Sequence, residues 1–292
     1  MARIEGRFEK ELEVRTPLRL EVETGSGDIE VQRGEDGRLK VSAEFEVRAG
    51  SREEAEELAR RIEDDPPIVV EGDLVRVGEL GKYGLSPQPL GRSAVFDFSI
   101  SAPPETGVQV SSGSGDQHVS GLKGPVTAKA GSGDIQIEDI EADIDAGAGS
   151  GDVSVARVRS SVTVGVGRGD VDLSETSGPV SAKVGSGDVA VKDLGGNIQV
   201  SIGRGDIALE SPVPDGAEWV LQAGSGDVSL VLPRESRFKL NAVSISGEIE
   251  TDFGLDPSER NGMKKLEEQV GADPTAVVSI KIAHGDIKLE AR

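Results

Sequence analysis

The feature that most restricts how this chain can fold is a tetrad, Gly-x-Gly-Asp, returning at a fixed interval. It stands at Gly113–Asp116, Gly131–Asp134, Gly149–Asp152, Gly167–Asp170, Gly185–Asp188 and Gly203–Asp206, every step 18 residues. It returns at Gly224–Asp227 after 21 residues and, as the variant Ile245-Ser246-Gly247-Glu248, after another 21. An early copy lies at Gly25–Asp28 and a late one at Ala283-His284-Gly285-Asp286. A fixed period of this length is the mark of a repeat architecture.

The apolar residues keep the same register. Before the tetrad run Val126, Ile144, Val162, Val180 and Ile198, then Ala128, Ala146, Val164, Ala182 and Val200, then Ala130, Ala148, Val166, Val184 and Ile202. After it run Ile135, Val153, Val171, Val189 and Ile207, then Ile137, Val155, Leu173, Val191 and Leu209. Within each repeat, apolar residues alternate with small or polar ones such as Thr127, Lys129, Gln136 and Ser154. That is the period of a strand with one buried face. Each 18-mer is therefore strand, tight turn, strand, second turn.

Two topologies satisfy this pattern. A meander of hairpins would make one long sheet with nothing over its apolar face, which open sheets do not sustain. In a solenoid each repeat is one coil, equivalent strands stack in parallel about 4.8 Å apart, and every apolar column becomes a buried ladder. The constant spacing selects the solenoid, because a coil of fixed circumference tolerates length changes only at corners. The 21-residue steps are then coils with a longer corner, as at Pro212-Val213-Pro214. The fold expected is all-β: a right-handed parallel β-solenoid of 18-residue coils, one domain over 1–292, with the regular repeats at 102–250. Aromatics are only 3% of the chain and glycines number 39, which fits thin layers of small aliphatics with many corners. Glycine supplies the positive φ of a tight corner, and the aspartate accepts hydrogen bonds from turn amides.

Two regions depart from the repeat. Ser51 and Glu54 make a capping box that opens a helix over 51–63, with Ala55, Leu58, Ala59 and Ile62 as its apolar stripe, ended at Asp64-Asp65-Pro66-Pro67. Strands are expected at Ile68–Val70, Leu74–Val77 and Val95–Ser101, with Gly78–Arg92 a loop around Tyr83. The helix is expected to cap the N-terminal end of the solenoid, whose open edge would otherwise template aggregation. Met263–Val270 fits a helix face through Met263, Leu266 and Val270, or a strand.

Ser111-Ser112-Gly113-Ser114-Gly115-Asp116 following Phe98-Ser99-Ile100-Ser101-Ala102-Pro103, then serial Gly-Ser-Gly-Asp repeats, then a closing Gly285-Asp286-Ile287, resemble the bacterial β-strand-repeat family of candidate adhesins, also called toastrack domains. The likeness covers nearly the whole chain. It implies a right-handed β-helical fold, no catalytic site, and adhesion, envelope stress sensing or scaffolding as the role. It also favours a strand for Met263–Val270, since that place in the family holds an extended hairpin.

Charge and composition narrow the function classes. A net charge of −21 argues against nucleic acid, which demands a basic stripe, and against an anionic membrane surface. With no cysteine, thiolate sites, disulfides and cysteine nucleophiles are excluded. No apolar run reaches membrane-spanning length, so direct membrane insertion is not expected. The opening Met1-Ala2-Arg3-Ile4-Glu5-Gly6-Arg7 has no apolar signal region, and Ile4–Arg7 also spells a common engineered protease site. The chain as it stands reads as cytoplasmic, or as a cell-surface or periplasmic protein whose signal segment has been removed.

The function expected is a non-catalytic structural or protein-interaction solenoid, adhesin-like or envelope-associated, using its ends or faces for a protein partner or for self-association, with no cofactor. The first alternative is a calcium-binding β-roll in which Asp134, Asp152, Asp170, Asp188 and Asp206 stack at the coil spacing and a cation relieves their repulsion. The second is a carbohydrate-active β-helix, although the carboxylates run in lines rather than clusters. His118 and His284 lack an acid or nucleophile partner at motif spacing. Arg168-Gly169-Asp170 and Arg204-Gly205-Asp206 spell the integrin tripeptide but are the repeat tetrad with Arg at its variable position. Trp219 and the phenylalanines are expected in the core or a cap.

Overall fold

The computed structural model describes residues 2–78, 83, 93–260 and 262–292. The chain forms two compact units, Met1–Asp143 and Ile144–Arg292. Each is built from two sheets of stacked, mainly parallel strands, the arrangement that the 18-residue period dictates.

In the second unit the register is that of coils laid on one another. Val162 pairs with Val180, Val180 with Ile198 and Ile198 with Trp219 in one sheet. Val171 pairs with Val189, Val189 with Ile207 and Ile207 with Val228 in the other. The predicted columns are thus real ladders, each buried along its length. A further column of the second unit, Val158, Thr176 and Leu194, is buried as well, as are Leu122 and Ile140 of the first, and these positions escaped the alternation pattern. The reason lies at the second corner. Asp139, Arg157, Glu175 and Asp193 take the left-handed conformation, with φ between 50° and 57°. That kink places two residues rather than one between successive inward side chains, so Ile140 turns in where strict alternation would turn it out.

The first unit shows how the irregular N-terminal part rejoins the repeat. Leu18–Ser26 and Ile29–Arg33 form a coil whose strands pair in parallel with Thr106–Ser114 and Gln117–Ser120. The intervening segment does not continue outward in sequence order. Leu74–Val77 and Ser93–Ala102 lie on the other side of the early coil, parallel to Leu18–Ser26 and Ile29–Arg33 respectively. Arg38–Ala49 then adds antiparallel to Ser93–Ala102, and Ala2–Glu13 antiparallel to Arg38–Ala49. The second sheet ends in the antiparallel strand Ile68–Glu71. Of the expected Gly78–Arg92 loop, all but Gly78 and Tyr83 lies outside the described residues. Tyr83 donates to the carbonyl of Asp65 under the guanidinium of Arg61.

The helix forms at Arg52–Asp64, capped by Ser51, whose hydroxyl accepts the Glu54 amide at 3.2 Å. Its predicted stripe of Ala55, Leu58, Ala59 and Ile62 is buried against Ala2–Glu13 and Arg38–Ala49. Phe8, Phe45, Phe96 and Phe98 form a run of ring contacts with centroids 5.5–6.4 Å apart, supplying the apolar volume that thin aliphatic coils lack.

At the far end of the second unit the coils again leave sequence order. Ala276–His284 and Ile287–Ala291 insert between the Glu218–Ser225/Val228–Leu232 coil and the Phe238–Ser246/Ile249–Thr251 coil. Met263–Val270 is a strand, antiparallel to Phe238–Ser246, with Ser258–Arg260 antiparallel outside it. Phe253 closes on Phe238 edge-on at 5.7 Å. Lys264 is held by Glu259 and Glu248 at 2.9 and 3.2 Å, hydrogen bonds that keep its ammonium charged above the usual lysine range.

Candidate functional site

The tetrad turns carry a line of aspartates, one per coil. The second glycine of each tetrad has a positive φ, +136° at Gly187 for instance, and Gly169, Gly187, Gly205 and Gly226 each lie against the carbonyl of their counterpart one coil back. The aspartate that follows is fixed by an inter-coil bond. Asp152 Oδ1 accepts the Asp170 amide, Asp170 Oδ1 that of Asp188, and Asp188 Oδ1 that of Asp206, all at 2.7–2.8 Å. The line continues through Asp227 and Asp286 to the amide of Glu248. In the first unit Asp97 Oδ1 accepts from Asp28, Asp28 from Asp116, and Asp116 from Asp134, at 2.8–2.9 Å.

Four of the five aspartates considered for calcium, Asp152, Asp170, Asp188 and Asp206, therefore stand in one continuous ladder, and Asp134 belongs to the ladder of the first unit. Their local role is to satisfy a turn amide that faces the coil below, each bond charge-assisted. Calcium takes six to eight oxygens. Here each coil brings one carboxylate, and one of its oxygens is already bound to main chain. Among the described residues no group of three or more His, Asp or Glu side chains stands in metal-holding geometry. Asp97 belongs to the ladder without any glycine motif in Phe96-Asp97-Phe98, so no sequence signal marked it.

The ladder also absorbs the two Arg-Gly-Asp tripeptides. Arg168 and Arg204 are exposed at the corner, while Asp170 and Asp206 hold the amides of Asp188 and Asp227. His118 lies half-buried on the outer face with Nε2 3.6 Å from Glu138 Oε1, and His284 is exposed at its turn.

The other feature is a shallow groove of about 390 Å³ on the outer face of the second unit. Thr163, Ser181, Gln199 and Val220 form its floor, one residue per coil in parallel register, with Asn197 and Glu218 at its rim. The lining is short and mostly uncharged, so the groove offers hydroxyl and amide groups at the coil spacing of about 4.8 Å. Asn197 Oδ1 accepts the Glu218 amide at 3.0 Å, which fixes the rim. No helix among the described residues is long and apolar enough to cross a membrane.

The family model that matches this sequence is described as Toastrack DUF4097, and it matches over residues 97–191 and 126–290. Solved structures that match include a candidate adhesin from Bacteroides fragilis, 13% identical, covering 97% of this chain and 96% of its own, with a TM-score of 0.43. A candidate adhesin from Parabacteroides distasonis is 12% identical with the same two coverages and a TM-score of 0.33. A candidate cell adhesion protein from Clostridium sporogenes is 11% identical, covers 98% of this chain and 100% of its own, and has a TM-score of 0.27. No protein of curated description matches.

Proposed function

We propose, from the premise that this chain belongs to the Toastrack DUF4097 family, that it is a non-catalytic interaction module whose outward rows of side chains bind a partner at the cell envelope. Family membership supports a structural or interaction role rather than an enzymatic one. The observation that carries the finer reading is the row Thr163, Ser181, Gln199 and Val220, which places equivalent outward positions in parallel register along one groove. A surface of this kind suits a partner recognised over several coils. The ladder carboxylates, by contrast, are engaged with main-chain amides.

The test is saturable binding of the fluorescently labelled protein to isolated bacterial envelope fractions. A variant carrying Thr163→Lys, Ser181→Lys and Gln199→Lys should lose that binding while its Trp219 emission stays that of a folded protein. Equal binding by the variant, or no binding by the parent, would contradict the proposal.

A further inference from the structure

The N-terminal strand Ala2–Glu13 forms one margin of its sheet, and its only sheet partner among the described residues is Arg38–Ala49. A 12-residue strand with an open edge invites another strand. The residues on its exposed face alternate in charge: Arg3, Glu5, Arg7, Glu9. Arg3 pairs with Glu46, and Glu9 with Lys40 at 3.0 Å. Glu5 and Arg7 are different, because neither side chain takes an ion pair among the described residues. The opposite face carries Ile4, Gly6 and the buried Phe8.

We infer that this edge is the docking site for a second copy of the chain, joined antiparallel across a two-fold axis at Gly6. Self-pairing requires a residue to face itself or its symmetry mate, and the inner and outer faces must stay in phase across the junction. Centred on Gly6, Arg3 faces the partner's Glu9 and Glu5 faces the partner's Arg7, each twice by symmetry. On the inner face Ile4 meets the partner's Phe8 and the two Gly6 residues face each other. Centring on Arg7 sets Arg7 against Arg7 and Glu5 against Glu9; centring on Glu5 sets Glu5 against Glu5 and Arg3 against Arg7. Centring on Phe8 opposes Glu5 to Glu11. Of these registers, only the one centred on Gly6 opposes every charge from Arg3 to Glu9 with its opposite, and it supplies Glu5 and Arg7 with the ion pairs they lack.

The main chain agrees. The Arg7 amide points to the open edge, where it reaches Glu63 Oε1 at 3.4 Å. The odd-numbered residues therefore present their amides and carbonyls outward, and in this register they fall opposite one another as hydrogen-bonded pairs, about eight bonds in all. The long, exposed Glu63 contact is readily exchanged for one of them.

This inference rests on the reading of the chain as an interaction module, and that reading survives its failure, because the envelope-binding assay uses a different surface and unit. Sedimentation equilibrium of the full chain at low salt is expected to show a monomer–dimer equilibrium. Arg7→Glu should weaken it by about tenfold or more, since each substitution turns two symmetric attractions into repulsions. Adding Glu5→Arg to Arg7→Glu swaps the two charges and should restore the dimer to within about threefold of the parent. Both side chains are exposed and take no ion pair among the described residues, so neither substitution should unfold the strand, which far-UV circular dichroism would verify. A monomer at every concentration, or a dimer indifferent to the single and double substitutions, would overturn the inference.

Discussion

Replacing one glycine by alanine should have opposite effects at two positions in the same unit. At Gly187 a Cβ would lie 2.0 Å from the Gly169 carbonyl oxygen, 2.5 Å from its carbon and 2.9 Å from Asp170 Oδ1, on a residue with φ of +136°. Relief demands that two coils part by about 1 Å, since non-bonded atoms sit near 3.2 Å or beyond. The parting would stretch the bonds that tie these corners together: Asp188 to Asp170 Oδ1 at 2.7 Å, Gly169 to Ser186 at 3.0 Å and Val171 to Asp188 at 2.8 Å. Losing two or three such bonds at about 1 kcal/mol each, with about 1–3 kcal/mol for the backbone conformation, gives a destabilisation of about 3–6 kcal/mol. At Gly165, no atom lies within 4 Å of the added Cβ, and the backbone is ordinary strand. Gly165→Ala should be neutral or stabilise by about 0.5–1 kcal/mol through lower unfolded-state entropy. Denaturant titrations read at the single tryptophan suit both, because Trp219 is fully buried in the same unit with Nε1 donating to the Gly196 carbonyl at 3.1 Å. A midpoint for Gly187→Ala within the scatter of Gly165→Ala would refute the close coil contact.

Three further outcomes follow from the ladders. Asp170→Ala should cost about 1–2 kcal/mol by orphaning the Asp188 amide, whereas Asp170→Asn keeps an acceptor, removes a charge and should stay within about 0.5 kcal/mol of the parent; equal losses would show that charge, not hydrogen bonding, is needed there. Gln117 interrupts the Ile29–Gln117–Ile135 ladder, fully buried with Oε1 unpartnered, so Gln117→Leu should stabilise the first unit by about 1 kcal/mol in a urea titration followed by circular dichroism; a loss of stability would show that its bonds to Ser112 and Lys129 outweigh the unpaired oxygen. Millimolar calcium should leave the melting temperature unchanged to within about a degree, and a rise of several degrees would make the aspartate ladder a cation site instead.

The regular coils were legible because each physical demand left a residue behind. A left-handed corner needs glycine, its amide needs an acceptor, and a one-sided strand alternates. The capped helix at Arg52–Asp64 was legible for the same reason, through Ser51, Glu54 and its stripe. What escaped was the order of stacking. Parallel coils present the same edge to any neighbour, so nothing in Gly285-Asp286 says that it inserts between Asp227 and Glu248 rather than following them. Asp97 joins the ladder from a strand with no corner motif, and Ile140 turns inward because Asp139 adopts φ of 57° without being glycine. The groove was invisible for a related reason: Thr163, Ser181 and Gln199 are the residues the alternation assigns to solvent, and only the register brings them together.

The account stands on coils stacked in parallel, and the absence of cysteine from the sequence allows a clean distance measurement. Ser154, Asp172, Ala190, Ala208 and Ser229 follow one another across the sheet in direct register. Spin labels on cysteines placed at Ser154 and Ser229 should lie four strand spacings apart, about 19 Å, by double electron–electron resonance. A hairpin meander of the same sequence would set them eight strand spacings apart, about 38 Å, and a distance near that value would contradict the solenoid.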